Sequence, residues 1–151
     1  MSYIRSPELL GFDKLDLSSD STVNAGSSET ITSTPEPGYL YKVKSIHLNI
    51  VTPGGTSSGT HRFDVKHTSP TMTYLTGISA HDGQLRYDFG YWRNADNTEL
   101  PLTGIEQLLM LNQIVYNHDH PLTIKYTNDT DVNQTNERSI ILDVEIYREV
   151  L

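Results

Sequence analysis

The sequence has no cysteine, few basic residues and no long hydrophobic run, and each of these absences excludes a class of protein. Without cysteine, the 151-residue chain forms no disulfide, zinc–thiolate site or thiol nucleophile. Its 19 acidic residues outnumber 11 basic ones, which gives a formal net charge of −8, and the basic residues do not cluster. We therefore expect neither a nucleic acid nor an anionic membrane as a partner.

The N-terminal stretch MSYIRSPELLGF lacks an apolar core of the length found in signal peptides. No other segment of the sequence reaches the length of a transmembrane helix. We expect a protein that, if it acts outside a cell, arrives there without an ordinary signal peptide.

Short segments of alternating polar and apolar residues, separated by turn residues, predict an all-β fold. The strongest signal is YLYKVKSIHLNIVT at residues 39–52, in which the alternation changes phase near Lys44 and Ser45 and so predicts a β-bulge. About eight such segments occur. They favour a two-sheet antiparallel sandwich, jelly-roll-like, forming a single domain over residues 21–151.

One segment departs from the period of a strand. Thr103 and Glu106 have the spacing of a capping box, and Ile105, Leu108 and Leu109 share one helical face. The pattern predicts one short helix near residues 103–111.

Residues 1–20 have no clear period, because Pro7 and Gly11 interrupt them. We interpret this segment as an N-terminal arm rather than a strand. Its apolar side chains are candidates for contact with a neighbouring subunit. They are Tyr3, Ile4, Leu9, Leu10 and Phe12.

The stretch NHDHP places His118 and His120 on either side of Asp119. Two histidines two residues apart share a face of an extended chain, so both could bind one metal ion. A single chain supplies an incomplete ligand set, whereas a trimer would supply six imidazoles around its axis. The metal site is therefore a hypothesis for an oligomer only, and the alternative is a polar turn before Pro121.

The other candidate functional motifs in the sequence are incomplete. Asp129, Asp131 and Asn133 match the first ligand positions of a calcium-binding EF-hand loop, but Gln134 and Ile140 stand where glycine and glutamate are required. A solvated turn is the alternative. No complete catalytic constellation is evident, so we expect no enzyme and no cofactor.

Tyr87, Tyr91 and Trp92 could form an aromatic platform that binds a sugar. Alternating aromatic residues in a sandwich more often belong to the core. Both interpretations stay open at this point.

Several stretches together resemble small β-sandwich structural proteins found in virions of tailed bacteriophages. These stretches are AGSSETIT, GYLYKVKSIHLNIV, GGTSSGTHRFDV and PLTIKYTNDTDVNQTNERSIILDVEIYREV, and they extend over about residues 20–150. The resemblance implies a non-enzymatic virion part without active-site residues. We expect a capsid decoration (cement) subunit that acts through subunit contacts. The alternative is a tail or baseplate component that binds a carbohydrate or receptor.

The same resemblance implies where the protein assembles and which proteins it contacts. Virion parts of this kind assemble in the cytoplasm of the host bacterium and end up in the virion. We therefore expect a homo-oligomer, with a trimer favoured, and other virion proteins such as the major capsid protein as partners.

Overall fold

The computed structural model describes residues 8–53, 55–56, 58–68, 71–79, 83–88, 91–94, 96–100 and 114–150. Ten β-strands account for most of these residues, and no helix occurs among them. The strands are β1 (Glu8–Asp16), β2 (Ser28–Ser33), β3 (Tyr39–Thr52), β4 (Gly59–Thr68), β5 (Thr71–Ser79), β6 (Gly83–Asp88), β7 (Tyr91–Asn94), β8 (Val115–Asn117), β9 (Leu122–Thr130) and β10 (Arg138–Arg148).

The described strands form two antiparallel sheets. The six-stranded sheet has the order β1-β10-β3-β6-β7, and β8 pairs with the first part of β3. The four-stranded sheet has the order β2-β9-β4-β5. The two sheets pack face to face, which confirms the predicted two-sheet antiparallel sandwich.

Side chains from the inner faces of both sheets meet in one core. Phe63 of the four-stranded sheet lies with its ring centre 6.2 Å from that of Trp92 in the six-stranded sheet and 5.1 Å from that of Tyr126. Aliphatic residues of β3 and β10 alternate into the same layer, as strands with one buried face do. These residues are Val43, Ile46, Leu48, Ile50, Ile140, Leu142 and Val144.

The predicted β-bulge in β3 is confirmed. Val144 pairs with Val43 and Asp143 pairs with Ser45, so Lys44 is an extra residue without a counterpart on β10. The bulge explains why Val43 and Ile46 both point inward although three positions separate them.

The arm interpretation of residues 1–20 is wrong for its second half. Glu8–Asp16 forms β1 and pairs with β10 over its whole length. Its period is weak because it is an edge strand, where Leu15 packs against the core and most other side chains are exposed. A register shift between Leu9 and Gly11 disturbs the alternation further.

In the middle of the chain, β6 and β7 form an antiparallel pair in which Tyr87 lies opposite Trp92. The helix predicted near residues 103–111 lies outside the described residues. In the part of the chain that is described, no helix is long and apolar enough to cross a membrane.

Candidate interaction surface

The histidines of NHDHP lie in a tight turn. The backbone N–H of Asn117 donates to the carbonyl oxygen of His120 (3.3 Å), and the backbone N–H of His120 donates to Oδ1 of Asn117 (2.8 Å). Nδ1 of His118 lies 3.0 Å from the carbonyl oxygen of Pro35, an acceptor, so this nitrogen carries the hydrogen. These hydrogen bonds within the chain hold the turn.

Within the described residues, no group of three or more His, Cys, Asp or Glu side chains could hold a metal ion. His118 and His120 are exposed on the turn. A metal site shared between subunits stays a prediction. The predicted calcium ligands are also engaged, since Oδ1 of Asp131 accepts from the backbone N–H of Ser58 and Oδ1 of Asn133 accepts from that of Ala25.

The predicted sugar platform is wrong for two of its three rings. Tyr87 is 3% exposed and Trp92 is 0% exposed, and their ring centres lie 5.3 Å apart inside the core. Burial raises the pKa of the Tyr87 hydroxyl to about 12. Neither ring can present a face to a sugar. The side chain of Tyr91 lies outside the described part of the structure.

The outer face of the six-stranded sheet carries Ser45, His47 and Asp143 in contact with one another. Oγ of Ser45 donates to Oδ2 of Asp143 (2.6 Å), and Nε2 of His47 lies 2.9 Å from the same oxygen. Nε2 of His47 also lies 3.3 Å from Oγ of Ser45. The hydrogen bond from Ser45, followed by that from His47, holds the pKa of Asp143 below its usual value.

These three residues have the composition of a catalytic triad but not its geometry. In a triad the histidine lies between the other two, with one ring nitrogen on the serine and the other on the carboxylate. Here one nitrogen contacts both residues, and the serine donates its hydrogen directly to the carboxylate. The arrangement orders a sheet surface and does not activate the serine.

A second pair of charges lies beside this group. Nζ of Lys44, the bulged residue of β3, lies 2.8 Å from Oε1 of Glu145, and the Tyr147 hydroxyl donates to Oε2 of the same carboxylate. The hydrogen bond from Lys44 is the main reason why the pKa of Glu145 is below its usual value. Each of these carboxylates on β10 thus has a partner, and the central part of the face is polar.

Exposed apolar side chains lie at the margin of this face, on β1. Leu9 is 47% exposed, Leu10 is 40% exposed and Phe12 is 72% exposed. Phe12 lies opposite Glu145 in the pairing with β10 and so projects from the outer face. We call Leu9, Leu10 and Phe12 the β1 apolar strip. The other two predicted contact residues, Tyr3 and Ile4, lie outside the described residues.

A shallow cavity of about 450 Å³ lies beside the strip. Phe12 contributes an aromatic wall, and the lysine side chains contribute their aliphatic stems. Its lining residues are Phe12, Asp13, Lys14, Lys44, Asp143 and Val144. The strip and the cavity together form a surface that a partner molecule could cover.

No model of a protein family and no curated protein matches the chain. Among solved structures, the chain is similar to a family 11 carbohydrate-binding module from Clostridium thermocellum, determined in complex with a β-1,3-1,4-mixed-linked tetrasaccharide. The match has 13% sequence identity and a TM-score of 0.26, and it covers 95% of this chain and 91% of the module. A similarity at this level assigns neither a ligand nor a function.

Proposed function

We propose that this protein is a non-enzymatic structural subunit of a bacteriophage virion. We further propose that it decorates the capsid and attaches through the β1 apolar strip. The observation that carries this proposal is the 72% exposure of Phe12 on an edge strand, next to Leu9 and Leu10. A large ring held at the surface by a rigid sheet is suited to contact with another protein. The resemblance of the sequence to small β-sandwich structural proteins of bacteriophage virions supports the same proposal.

Attachment through the β1 apolar strip requires no conformational change. The strand is paired with β10 on both sides of the register shift at Leu10, so little conformational freedom is lost when a partner covers it. Full burial of one phenylalanine side chain contributes about 2 kcal/mol. In a homo-oligomer the strips would be linked, so that a second contact forms at a high effective concentration and a modest single contact becomes firm attachment. The major capsid protein would be the partner, and assembly in the host cytoplasm would place the chain in the virion.

Replacing Phe12 with aspartate should weaken attachment while leaving the fold intact. The substitution removes the largest exposed apolar side chain and places a second carboxylate opposite Glu145. The test uses particles assembled without this protein from the genome that encodes it, incubated with purified wild-type or variant chain and separated by sedimentation. We expect an affinity at least about tenfold lower for the variant.

Val51→Asp is the matched control, because Val51 is a 43% exposed apolar residue on β3, away from the strip. It should bind particles as the wild type does. Folded Phe12→Asp that attaches with unchanged affinity would contradict the role of the strip. Failure of the wild-type chain to bind any particle would contradict the virion proposal itself.

A tail or baseplate component that binds carbohydrate is the alternative proposal. Two of the three aromatic residues predicted to bind a sugar, Tyr87 and Trp92, are buried in the core. A glycan array and a host cell-wall binding assay separate the alternatives. Specific retention on either would favour the tail proposal over capsid decoration.

A further inference from the structure

A second depression on the outer face of the six-stranded sheet lies away from β1. It is a groove of about 230 Å³ over β3, between side chains of β6 and β10. Arg86 of β6, Asn49 of β3 and Ser139 of β10 lie opposite one another in a single row across these strands. The neighbouring pair of His47 and Ile141 lines the groove as well. Three adjacent strands thus hold its side chains in fixed positions.

Arg86 is half-buried at this groove and has few partners among the described residues. Its only described hydrogen bond runs from Nη2 to Oδ1 of Asn97, at a distance of 3.3 Å. The Nε–H group is shielded from solvent and meets no acceptor in the described part of the chain. A guanidinium has five N–H donors, so most of those of Arg86 are left without a protein acceptor. Because shielding a charge from water costs free energy that an anionic partner recovers, the position favours an anion.

The other polar groups of the row also offer hydrogens to a ligand. Oδ1 of Asn49 accepts a hydrogen bond from Nε2 of Gln84 (3.1 Å), which leaves Nδ2 of Asn49 to donate. The Ser139 hydroxyl can donate as well. Asp143, the carboxylate on the same face of β10, already accepts from Nε2 of His47 (2.9 Å). A group that enters the groove therefore meets donors from three strands, a pattern suited to a carboxylate.

The size of the groove favours a single side chain over a larger ligand. Pockets that bind small molecules usually measure about 300–1,000 Å³, and this groove is smaller. No Phe, Tyr or Trp occurs among its described lining residues, so a sugar ring would have no such face on which to stack. The carboxylate of an aspartate or glutamate side chain is small enough to enter and supplies the acceptor that Arg86 lacks.

We propose that the groove binds the carboxylate of an aspartate or glutamate side chain on the protein that covers the outer face, with Arg86 as its ion-pair partner. The planar guanidinium can donate two hydrogens to one carboxylate. Asn49 and Ser139 would donate to it from the neighbouring strands. The inference rests on the proposed virion role, and it adds a charged contact to the apolar contact made by the β1 apolar strip.

One partner protein can cover both the strip and the groove. Phe12 lies opposite Glu145, and Ser139 lies on the same face of β10, six residues from Glu145. At about 3.3 Å per residue, these two positions are about 20 Å apart along the strand. A standard interface of about 800 Å² on each partner is about 30 Å across. The strip would contribute affinity, and the ion pair would fix the orientation of the partner.

Arg86→Gln removes the charge and the planar fork of donors. In the sedimentation assay with particles that lack this protein, we expect the variant to bind about tenfold more weakly, the loss expected from one charge-assisted contact. Lys125→Gln is the matched control, because it changes the net charge equally at an exposed residue of β9 in the other sheet. Unchanged affinity of Arg86→Gln, or an equal loss in the control, would overturn the inference and leave the virion role standing.

A second measurement uses the wild-type chain without particles. The side-chain amide resonances of Asn49 would be followed by NMR during titration with the α-amide of N-acetylglutamate, which carries one carboxylate. The α-amide of N-acetylglutamine, which carries none, is the control probe. We expect the first probe to cause a shift that saturates with a Kd of about 10–100 mM, and the second to cause none.

Equal responses to the two probes would overturn the carboxylate site, whatever the result of the particle assay. A wild-type chain that binds the glutamate probe but no particle would contradict the virion role and support the carboxylate site. The two failures are therefore distinguishable.

Discussion

Replacing Arg138 with alanine is expected to lower the free energy of unfolding by roughly 3–5 kcal/mol, the cost of breaking a buried ion pair from one side. Arg138 is 1% exposed, and its guanidinium lies 2.8 Å from Oε2 of Glu29, joining β10 to β2 of the other sheet. It also donates to the carbonyl oxygens of Ser21 and Asn136 and lies 5.2 Å from the ring centre of Tyr126. Alanine would leave these acceptors without their donor and open a cavity.

The pKa of the Glu29 carboxyl group reflects its contacts with Arg138 and Ser19. Partial burial raises the pKa of Glu29, but hydrogen bonds from Ser19 and Arg138 outweigh it and hold that pKa below its usual value. The folded state therefore stabilises the charged form of Glu29, and Arg138 is one of the reasons.

Guanidinium chloride denaturation at pH 7 measures the effect of Arg138→Ala. Arg148→Ala is the matched control on the same strand, because the Arg148 side chain is 68% exposed and makes one ion pair to an exposed glutamate. The control should change the free energy of unfolding by no more than about 0.5 kcal/mol. Equal losses for the two variants would show that the buried arginine does not join the sheets as described.

Acidification from pH 7 to pH 4 is expected to destabilise the fold by about 3 kcal/mol through His61 alone. His61 is 1% exposed, its Nδ1 lies 2.7 Å from the Tyr126 hydroxyl oxygen, and its buried Nε2 meets no hydrogen-bond partner among the described residues. Burial lowers the pKa of His61 from 6.5 to about 4, and the charge of Arg138 acts in the same direction.

The direction of the pH dependence follows from these two pKa values. The unfolded chain takes up a proton near pH 6.5, whereas the folded chain does so only near pH 4. The stability associated with neutral His61 is therefore fully present above about pH 6.5 and is lost as the pH falls toward 4. Glu29 and Asp143, whose pKa values are lowered, add a further loss at more acidic pH, because protonation removes their favourable bonds.

The double variant His61→Phe with Tyr126→Phe isolates the histidine. It keeps the stacked rings, whose planes are 21° apart, and removes both members of the hydrogen bond together. Free energies of unfolding from urea denaturation would be measured for both proteins between pH 4 and 7.5. The wild type should lose about 3 kcal/mol more than the variant over this range. Parallel pH profiles would contradict a buried, neutral His61.

Both residues could have been placed from the sequence by strand phase alone. His61 shares its phase with the buried Phe63 and Val65 of β4. Arg138 shares its phase with Ile140 and Leu142 of β10. Charged and titratable groups are usually expected to face solvent, so the strand phase of these two residues is easily overlooked. That expectation holds only for groups without buried partners.

Local pattern predicted most of the strands and the bulge at Lys44, since these depend on alternation within a few residues. Pattern could not predict which strands are neighbours. His47 and Asp143 meet across 96 residues of sequence, and such contacts depend on packing of the whole sandwich. The prediction that Tyr87 and Trp92 form a sugar-binding platform is wrong for the same reason. β6 and β7 pair with each other, and both rings are buried in the core.

The edge strand β1 shows the limit of pattern most clearly. Its residues are mostly exposed on both sides, so no period distinguishes it from a flexible arm. The apolar residues Leu9, Leu10 and Phe12 were nevertheless recognisable as contact candidates, because they are apolar and lie in a segment without a clear period. What the structure adds is their rigid placement along a sheet edge.

An electron cryomicroscopy map of particles that carry this protein tests the proposed role of β1 most directly. At a resolution that orients the sandwich, the proposed role predicts that the protein lies on the capsid with the outer face of β1 covered and Phe12 buried in the contact. A map in which the chain lies on the tail, or lies on the capsid with β1 facing solvent, would contradict it.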